Sequence, residues 1–407
     1  MTGLPPTLTL LLSCLSMANM ALVGTSAPRI AAWRPLPVAR DGMGVAMFMG
    51  ARSKKWFREE FGFPENLIPK NAIFEDPDSF FKVVEGEGGN SMLKSLKNEQ
   101  QWSIGVLSTP MLAELRERNA AKLEMAAANG SPSMTFKVIE GDVIGLHGEL
   151  NNAHATFQVA SQFNCLEMPS DSYTPEAGIT GYINDRTQGP ACVLCTGPAL
   201  VFRNYLHTPR GVQIDNLDRL GEELGNEGGC YWTMRNGYTL SSSEKLADLN
   251  QKMDSFANRD DLLSLLKIGV HADIAVTKKE EDGKVVEAMQ VTHVLGSACA
   301  VSYNIKTSTD DWEKFARLVL DASYEACFLA ALENLERHPN APGAKKLFLT
   351  NLGGGAFGNE QNWILDAIKR AVTMFKYHGL EVILVCYGDV TAGPRQLEQE
   401  LQTELSE

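Results

Sequence analysis

The spacing of hydrophobic positions is clearest in the last hundred residues. "DDWEKFARLVLDASYEACFLAALENLERH" (310–338) places Phe315, Val319, Ala322, Ala326, Leu329 and Leu332 on one face, which predicts a long helix. "KKLFLTNL" then reads as a strand, "EQNWILDAIKRAVTMFKYHG" as a helix stopped by Gly379, and "LEVILVCYG" as a strand apolar on both faces. Earlier, "MTFKVIEGDV" and "ATFQVASQF" are strands bounded by polar turns. "VHADIAVTKKEEDGKVVEAMQVTHVLGSACAVSYN" is expected to hold strands joined at Asp282-Gly283. Helices alternating with strands predict a three-layer α/β/α sandwich with a mixed sheet.

The rest of the chain is read around that sheet. "SMLKSLKNEQ" and "TPMLAELRERNAAKLEMAAA" carry apolar residues three or four apart, and Thr109-Pro110 is a fitting helix start. Residues 41–130 are therefore expected to be a helical accessory region, closed by the turn "NGSP", with the α/β domain over 131–395. Within it, residues 203–265 look like a polar helical insertion, helical in "SSEKLADLNQKMDSF" and "RDDLLSLLKI"; residues 396–407 look like a solvated helix or a frayed tail.

Composition narrows the function. The 407 residues carry a formal charge of −13, which argues against a broad nucleic-acid footprint but leaves room for a small anion held by backbone amides. Thr7–Val23 is apolar, no acidic residue precedes Asp41, and Arg29, Arg34 and Arg40 follow the run. Residues 1–40 are accordingly read as a signal or organelle transit segment, too short and polar for a stable membrane span in the mature chain. The eight cysteines include one C-x-x-C, Cys192 and Cys195, with no second pair, and are read as buried small side chains. No histidine pair has metal-ligand spacing: His147 and His154 are seven apart, and His271 and His293 fall on separate predicted strands. No metal or cofactor is assigned.

The chemistry concentrates in "FLTNLGGGAFGNEQNW" (348–363). Gly353, Gly355 and Gly358 match G-x-G-x-x-G between a predicted strand and helix, and Asn359 stands where it would cap that helix. Glycines let the backbone approach a diphosphate closely and take positive φ; such turns also serve simply to pack a helix on a strand. A P-loop is excluded, because Gly358 is followed by Asn359 and Glu360 instead of Lys and Ser or Thr. A nicotinamide-dinucleotide oxidoreductase wants an acid at the end of the next strand, where the chain has Cys386-Tyr387-Gly388.

Four stretches, in order over residues 136–390, resemble the macro domain, and in particular its poly(ADP-ribose) glycohydrolase-like branch. They are "FKVIEGDV" (136–143), "FQVASQFNCLEM" (157–168), "GITGYINDRTQGPA" (178–191) and "LTNLGGGAFGNE" (349–360). The resemblance implies a site for ADP-ribose or an ADP-ribosylated protein. In it Asp142 would accept from the adenine amino group and Asn164 would bond the distal ribose. Gly178 and Ile179 would line a first phosphate loop, with Gln188 on the following helix. Gly353, Gly354, Gly355, Ala356, Phe357, Gly358 and Asn359 would form the diphosphate loop, Phe357 lying against the distal ribose. One departure bears on activity. Where the glycohydrolases carry two glutamates after the glutamine, this chain has Gly189 and Pro190. Asp185 and Glu176 are the replacement candidates for a catalytic carboxyl. Binding is therefore expected ahead of hydrolysis; the alternatives are the oxidoreductase and a non-catalytic interaction protein on a macro-like fold.

Overall fold

The computed structural model describes residues 55–67, 69–86, 89–129, 133–207, 212–277 and 289–406. The expected targeting segment 1–40 and the turn at Asp282-Gly283 lie outside them. Three short strands come first, β1 (Phe81–Glu85), β2 (Ser91–Ser95) and β3 (Gln101–Ser103), in an antiparallel sheet of their own. The main sheet has seven strands: β4 (Val106–Ser108), β5 (Thr135–Glu140), β6 (Thr156–Ala160), β9 (Gly269–Ala275), β10 (Gln290–Gly296), β11 (Lys346–Leu349) and β12 (Glu381–Cys386). A hairpin, β7 (Thr233–Arg235) with β8 (Tyr238–Leu240), stands apart. The main order is β4-β9-β10-β6-β11-β12-β5, in which β10, β6, β11, β12 and β5 run parallel and β9 runs against its neighbours.

Both faces of this sheet are covered, and the strand sequences say why. Along β12, Val382 and Leu384 enter one core while Ile383 and Val385 enter the other, so a strand apolar at every position needs cover on both sides. One core is built from the helices Thr309–Arg337, Gln361–Met374 and Ala392–Ser406, with Trp312, Phe315, Phe328 and Trp363 among its members. The 29-residue helix starts on a capping box, Ser308 with Asp311. The opposite core is closed by an aromatic cluster, Trp56, Phe57, Phe61, Phe63 and Phe81, whose Phe57 and Phe61 ring centroids are 4.7 Å apart. Each such ring contributes roughly 1.5–3 kcal/mol by burial.

Three expectations about secondary structure need correction. "SMLKSLKNEQ" is not helical: Ser91–Ser95 is a strand held between β1 and β3, with Val83 opposite Leu93. The second expected helix is present as Leu112–Asn129, but it begins past Thr109, where the Glu114 carboxylate accepts from the Met111 amide at 2.7 Å. The tail is helical, the first of its two expected forms, but the helix Ala392–Ser406 is docked and not solvated all round, burying Pro394, Leu397 and Leu401. The polar stretch 203–265 also sends Trp232, Leu246 and Leu249 into the core of the α/β domain. None of the helices among the described residues is long and apolar enough to cross a membrane.

Candidate functional site

The parallel strands end on one side of the sheet, and a cavity of about 620 Å³ opens there. Its walls come from the ends of β5 (Gly141, Asp142), β6 (Ala160, Ser161), β11 (Thr350, Asn351) and β12 (Tyr387). Open α/β sheets place ligands outside the carboxyl ends of their strands, where loops diverge and backbone groups are left unpaired.

The glycine loop forms part of this wall, and its glycines divide into two kinds. Gly353 has φ 76° and Gly358 φ 70°, values that favour glycine. A Cβ at Gly353 would come 2.5 Å from Ala298 Cβ, one at Gly354 would come 2.9 Å from Ile364 Cδ1, and one at Gly358 would collide with Ser302 Oγ. These three glycines let the loop pack. Gly355 is different: it is exposed, and a Cβ there would meet nothing within 4 Å. The amides divide in the same way. Gly354 N–H donates to Asn351 O, Gly358 N–H to Gly355 O and Asn359 N–H to Gly353 O. The N–H groups of Gly355, Ala356 and Phe357 have no hydrogen-bond partner among the described residues, and all three residues line the cavity. Consecutive free amides at the mouth of a cleft suit an anion.

Around the loop stand Asp142, Gln188, Arg186 and three aromatic rings. Asp142 lines the cavity and caps a short helix through Oδ1, which accepts from the Ile144 amide at 2.9 Å; Oδ2 is not used. Gln188 lines it too, but its amide is already engaged. Nε2 donates to Gln158 O and Oε1 accepts from the Ala160 amide, both at 2.8 Å, so the side chain extends β6. Phe357 packs on Tyr238 and Tyr303, with ring centroids 5.2 and 5.6 Å away, and all three rings border the cavity. Arg186, exposed on the rim, is the cationic side chain of the described lining.

Other expected site residues are not on this cleft. Asn164 is buried, donates through Nδ2 to Gln213 Oε1 at 2.7 Å and accepts at Oδ1 from the Leu166 amide; it does not line the cavity. Gly178 and Ile179 do not line it either. Their loop does hold an anion, but the anion belongs to the protein. Glu65 accepts from the amides of Ile179 and Thr180 at 2.8 Å each, from Thr180 Oγ1 at 2.5 Å and from Tyr205 Oη at 2.6 Å. Gly178, at φ 86°, is the residue that makes room, since a Cβ there would sit 2.6 Å from Glu65 Oε2. Gly354, Gly358 and Asn359 are outside the lining as well. Asn359 does not cap the helix; its Nδ2 donates to Cys299 O at 2.8 Å, and the N-cap position is Glu360. Glu176 is off the cleft. Asp185 is on it, with Oδ1 engaged by the Thr187 amide and hydroxyl.

The carboxyl that the sequence reading missed is Glu167. After β6 the chain turns back through Cys165, at φ 61°, and sets Glu167 beneath the strand end. Glu167 borders the cavity yet is fully buried; Oε1 accepts from Ser161 Oγ at 2.6 Å, and Oε2 lies 3.5 Å from Arg203. Burial outweighs the nearby guanidinium and pushes this carboxyl up to about 7. A group poised there can give or take a proton near neutral pH. Gly189 packs directly against it: a Cβ on Gly189 would collide with Ala160 O and come 3.2 Å from Glu167 Cγ. The residue after Gln188 therefore has to be a glycine in this packing. An acid within an apolar run, "NCLEM", was the one available signal.

Solved structures of poly(ADP-ribose) glycohydrolase are similar to this chain at a distance. The enzyme from Thermomonospora curvata matches at 12% identity and TM-score 0.40, covering 82% of this chain and 98% of that one. The same enzyme bound to the inhibitor ADP-HPD matches at 12% and 0.39, with the same coverage. The Deinococcus radiodurans enzyme in complex with ADP-ribose matches at 9% and 0.36, covering 73% and 98%. No protein-family model and no curated protein sequence matches the chain. Likeness at this distance concerns the arrangement of helices and strands; what the cleft does has to be argued from the cleft.

Proposed function

We propose that this chain binds ADP-ribose, or an ADP-ribosyl group on another molecule, in the cleft at the strand ends. One observation carries the reading: Asp142, Gln188 and the loop of Gly353, Gly355, Ala356 and Phe357 border a single cavity. The diphosphate rests on the amides of Gly355, Ala356 and Phe357, and Arg186 in the wall of the same cavity supplies positive charge. Asp142 Oδ2 takes the adenine amino group, and Phe357 lies against the distal ribose. Asn164 has no part in this arrangement. The oxidoreductase alternative loses support, since β12 ends in Cys386-Tyr387-Gly388 and does not carry an acid at its own last position.

Hydrolysis of an ADP-ribosyl linkage is the second reading, and Glu167 favours it. In that reading Glu167, protonated, supplies the leaving oxygen with a proton through the Ser161 hydroxyl as the glycosidic bond breaks. The resulting carboxylate then takes a proton from the attacking water by the same route.

A thermal-shift comparison of ADP-ribose, its 1″-phosphate, NAD and ATP tests the binding reading, because a ligand of the folded state raises apparent stability. ADP-ribose and its 1″-phosphate are expected to stabilise, with NAD and ATP weaker. A response to ATP or NAD alone would contradict the reading.

A further inference from the structure

We propose a second site, for a divalent transition-metal ion, built from His154, Asp273 and His338 at the end of the sheet away from the cleft. The three residues are far apart in sequence, and the fold brings their donor atoms within 4.8 Å of one another. His154 stands just before β6, Asp273 lies in β9, and His338 follows the helix Thr309–Arg337.

Local backbone conformation aims each side chain. The β9–β10 register shifts between Val291 and His293, so β9 carries one extra residue opposite Thr292. Asp273 sits in that bulge at φ 60°, and bulges re-aim a side chain out of the alternating pattern. His154 also has φ 60°, unusual for a residue other than glycine. His338 caps the long helix, which directs its ring back toward β9.

The donor set suits a borderline ion such as zinc or cobalt: two imidazoles and one carboxylate, with a fourth position for water. His338 Nε2 lies 2.6 Å from Asp273 Oδ1, and His154 Nδ1 lies 3.9 Å from the same oxygen. That second distance is too long for a hydrogen bond, and His154 Nδ1 is a shielded nitrogen with no hydrogen-bond partner among the described residues. Donors around a tetrahedral zinc are about 3.3 Å apart, and the His154 and His338 rings lie with centroids 3.9 Å apart and planes 31° from parallel, so one ring must turn, as well as shift, to bring both nitrogens onto one ion. All three side chains keep about a quarter of their surface open to solvent, which gives an ion access.

Surrounding contacts hold the ligands in place. His154 O accepts from Asn334 Nδ2 at 2.6 Å, and Asp273 O accepts from Ser103 Oγ at 2.9 Å. Arg337 Nε approaches the other carboxylate oxygen, Oδ2, at 3.3 Å, which leaves Oδ1 to the ion. Such second contacts orient metal ligands. An entering ion displaces the proton between His338 Nε2 and Asp273 Oδ1 to solvent, so affinity weakens as the pH is lowered. The bound ion clips the end of the long helix to β9 and to the start of β6.

Cobalt(II) titration of the full chain, read by visible absorption, tests the site. The expected result is one ion per chain, with d–d bands and no thiolate charge-transfer band, and a zinc-dependent rise in melting temperature. His154→Ala, His338→Ala and the near-isosteric Asp273→Asn should each weaken uptake about tenfold or more, with folding of each variant checked by circular dichroism without metal. Cys230, the exposed cysteine among the described residues, is replaced by Ser as a control. No uptake by the wild-type chain, uptake unchanged in all three variants, or thiolate bands that persist in them would overturn the proposal.

Discussion

The loops at Gly178–Thr180 and Gly353–Gly358 both present a run of backbone amides, and they differ in what those amides meet. At the first, Glu65 fills the cup with four hydrogen bonds from Ile179, Thr180 and Tyr205. At the second, the amides of Gly355, Ala356 and Phe357 face the cavity without partners among the described residues. The same local chemistry, glycine at positive φ and a run of amides, thus serves packing in one place and lines an open cavity in the other. A glycine-rich turn tells where an anion can sit. Only the rest of the chain tells whether the anion is the protein's own.

That contrast can be broken experimentally, and the largest effect is expected at Gly355. Gly355→Glu adds a carboxylate in open space, so the fold should survive while ADP-ribose binding falls by more than about a hundredfold, roughly 3 kcal/mol or more. Titration calorimetry reads the affinity, and an unchanged value would remove the loop from the site. Next is Glu65→Ala, which strands two amides and two hydroxyls in a partly buried cup and should cost about 2–4 kcal/mol in denaturant unfolding. ADP-ribose affinity should move by less than about twofold, whereas a large gain would mean that Glu65 was holding a second ligand loop closed.

The pH dependence of stability sharpens the picture at Glu167. Its carboxyl is raised in the folded chain from an ordinary 4.5 to about 7. The stability it contributes is therefore full below about pH 4.5 and is lost as pH rises through about 7. Glu167→Gln should remove that slope, a change on the order of 2–3 kcal/mol between pH 5 and 8. The absolute level is a poorer readout, since the variant also leaves Arg203 without its carboxylate. Equal slopes in both proteins would show that the carboxyl ionises normally. Phe357→Ala should be the mildest change, about 1–2 kcal/mol or roughly tenfold in ADP-ribose affinity from lost ring contact; no change would place the ligand elsewhere in the cleft.

What could be read from the sequence follows the range of the forces involved. The long helix, the strands of 346–349 and 381–386 and the glycine loop are set by neighbours in sequence, through period, caps and backbone freedom. Ser91–Ser95 misleads because its apolar spacing fits a helix while its partners, β1 and β3, are supplied by tertiary pairing. Glu65 is 114 residues from the amide it occupies at Ile179, and no spacing rule spans that gap. Glu167 lies within a stretch singled out for its Asn164, yet the turn at Cys165 sends the acid to the cleft and the asparagine to Gln213. The cluster of His154, Asp273 and His338 is invisible for the same reason: its members are brought together by a bulge, a positive φ and a helix end.

In the proposed function, the amides of residues 355–357 serve a diphosphate. Calorimetric titration of ADP-ribose into the full chain, run beside the Gly355→Glu variant, addresses that directly. Saturable one-to-one binding by the wild type and none by a folded variant is the predicted result. A folded wild-type chain that takes up no ADP-ribose at millimolar concentration, or two proteins that bind it equally, would contradict it.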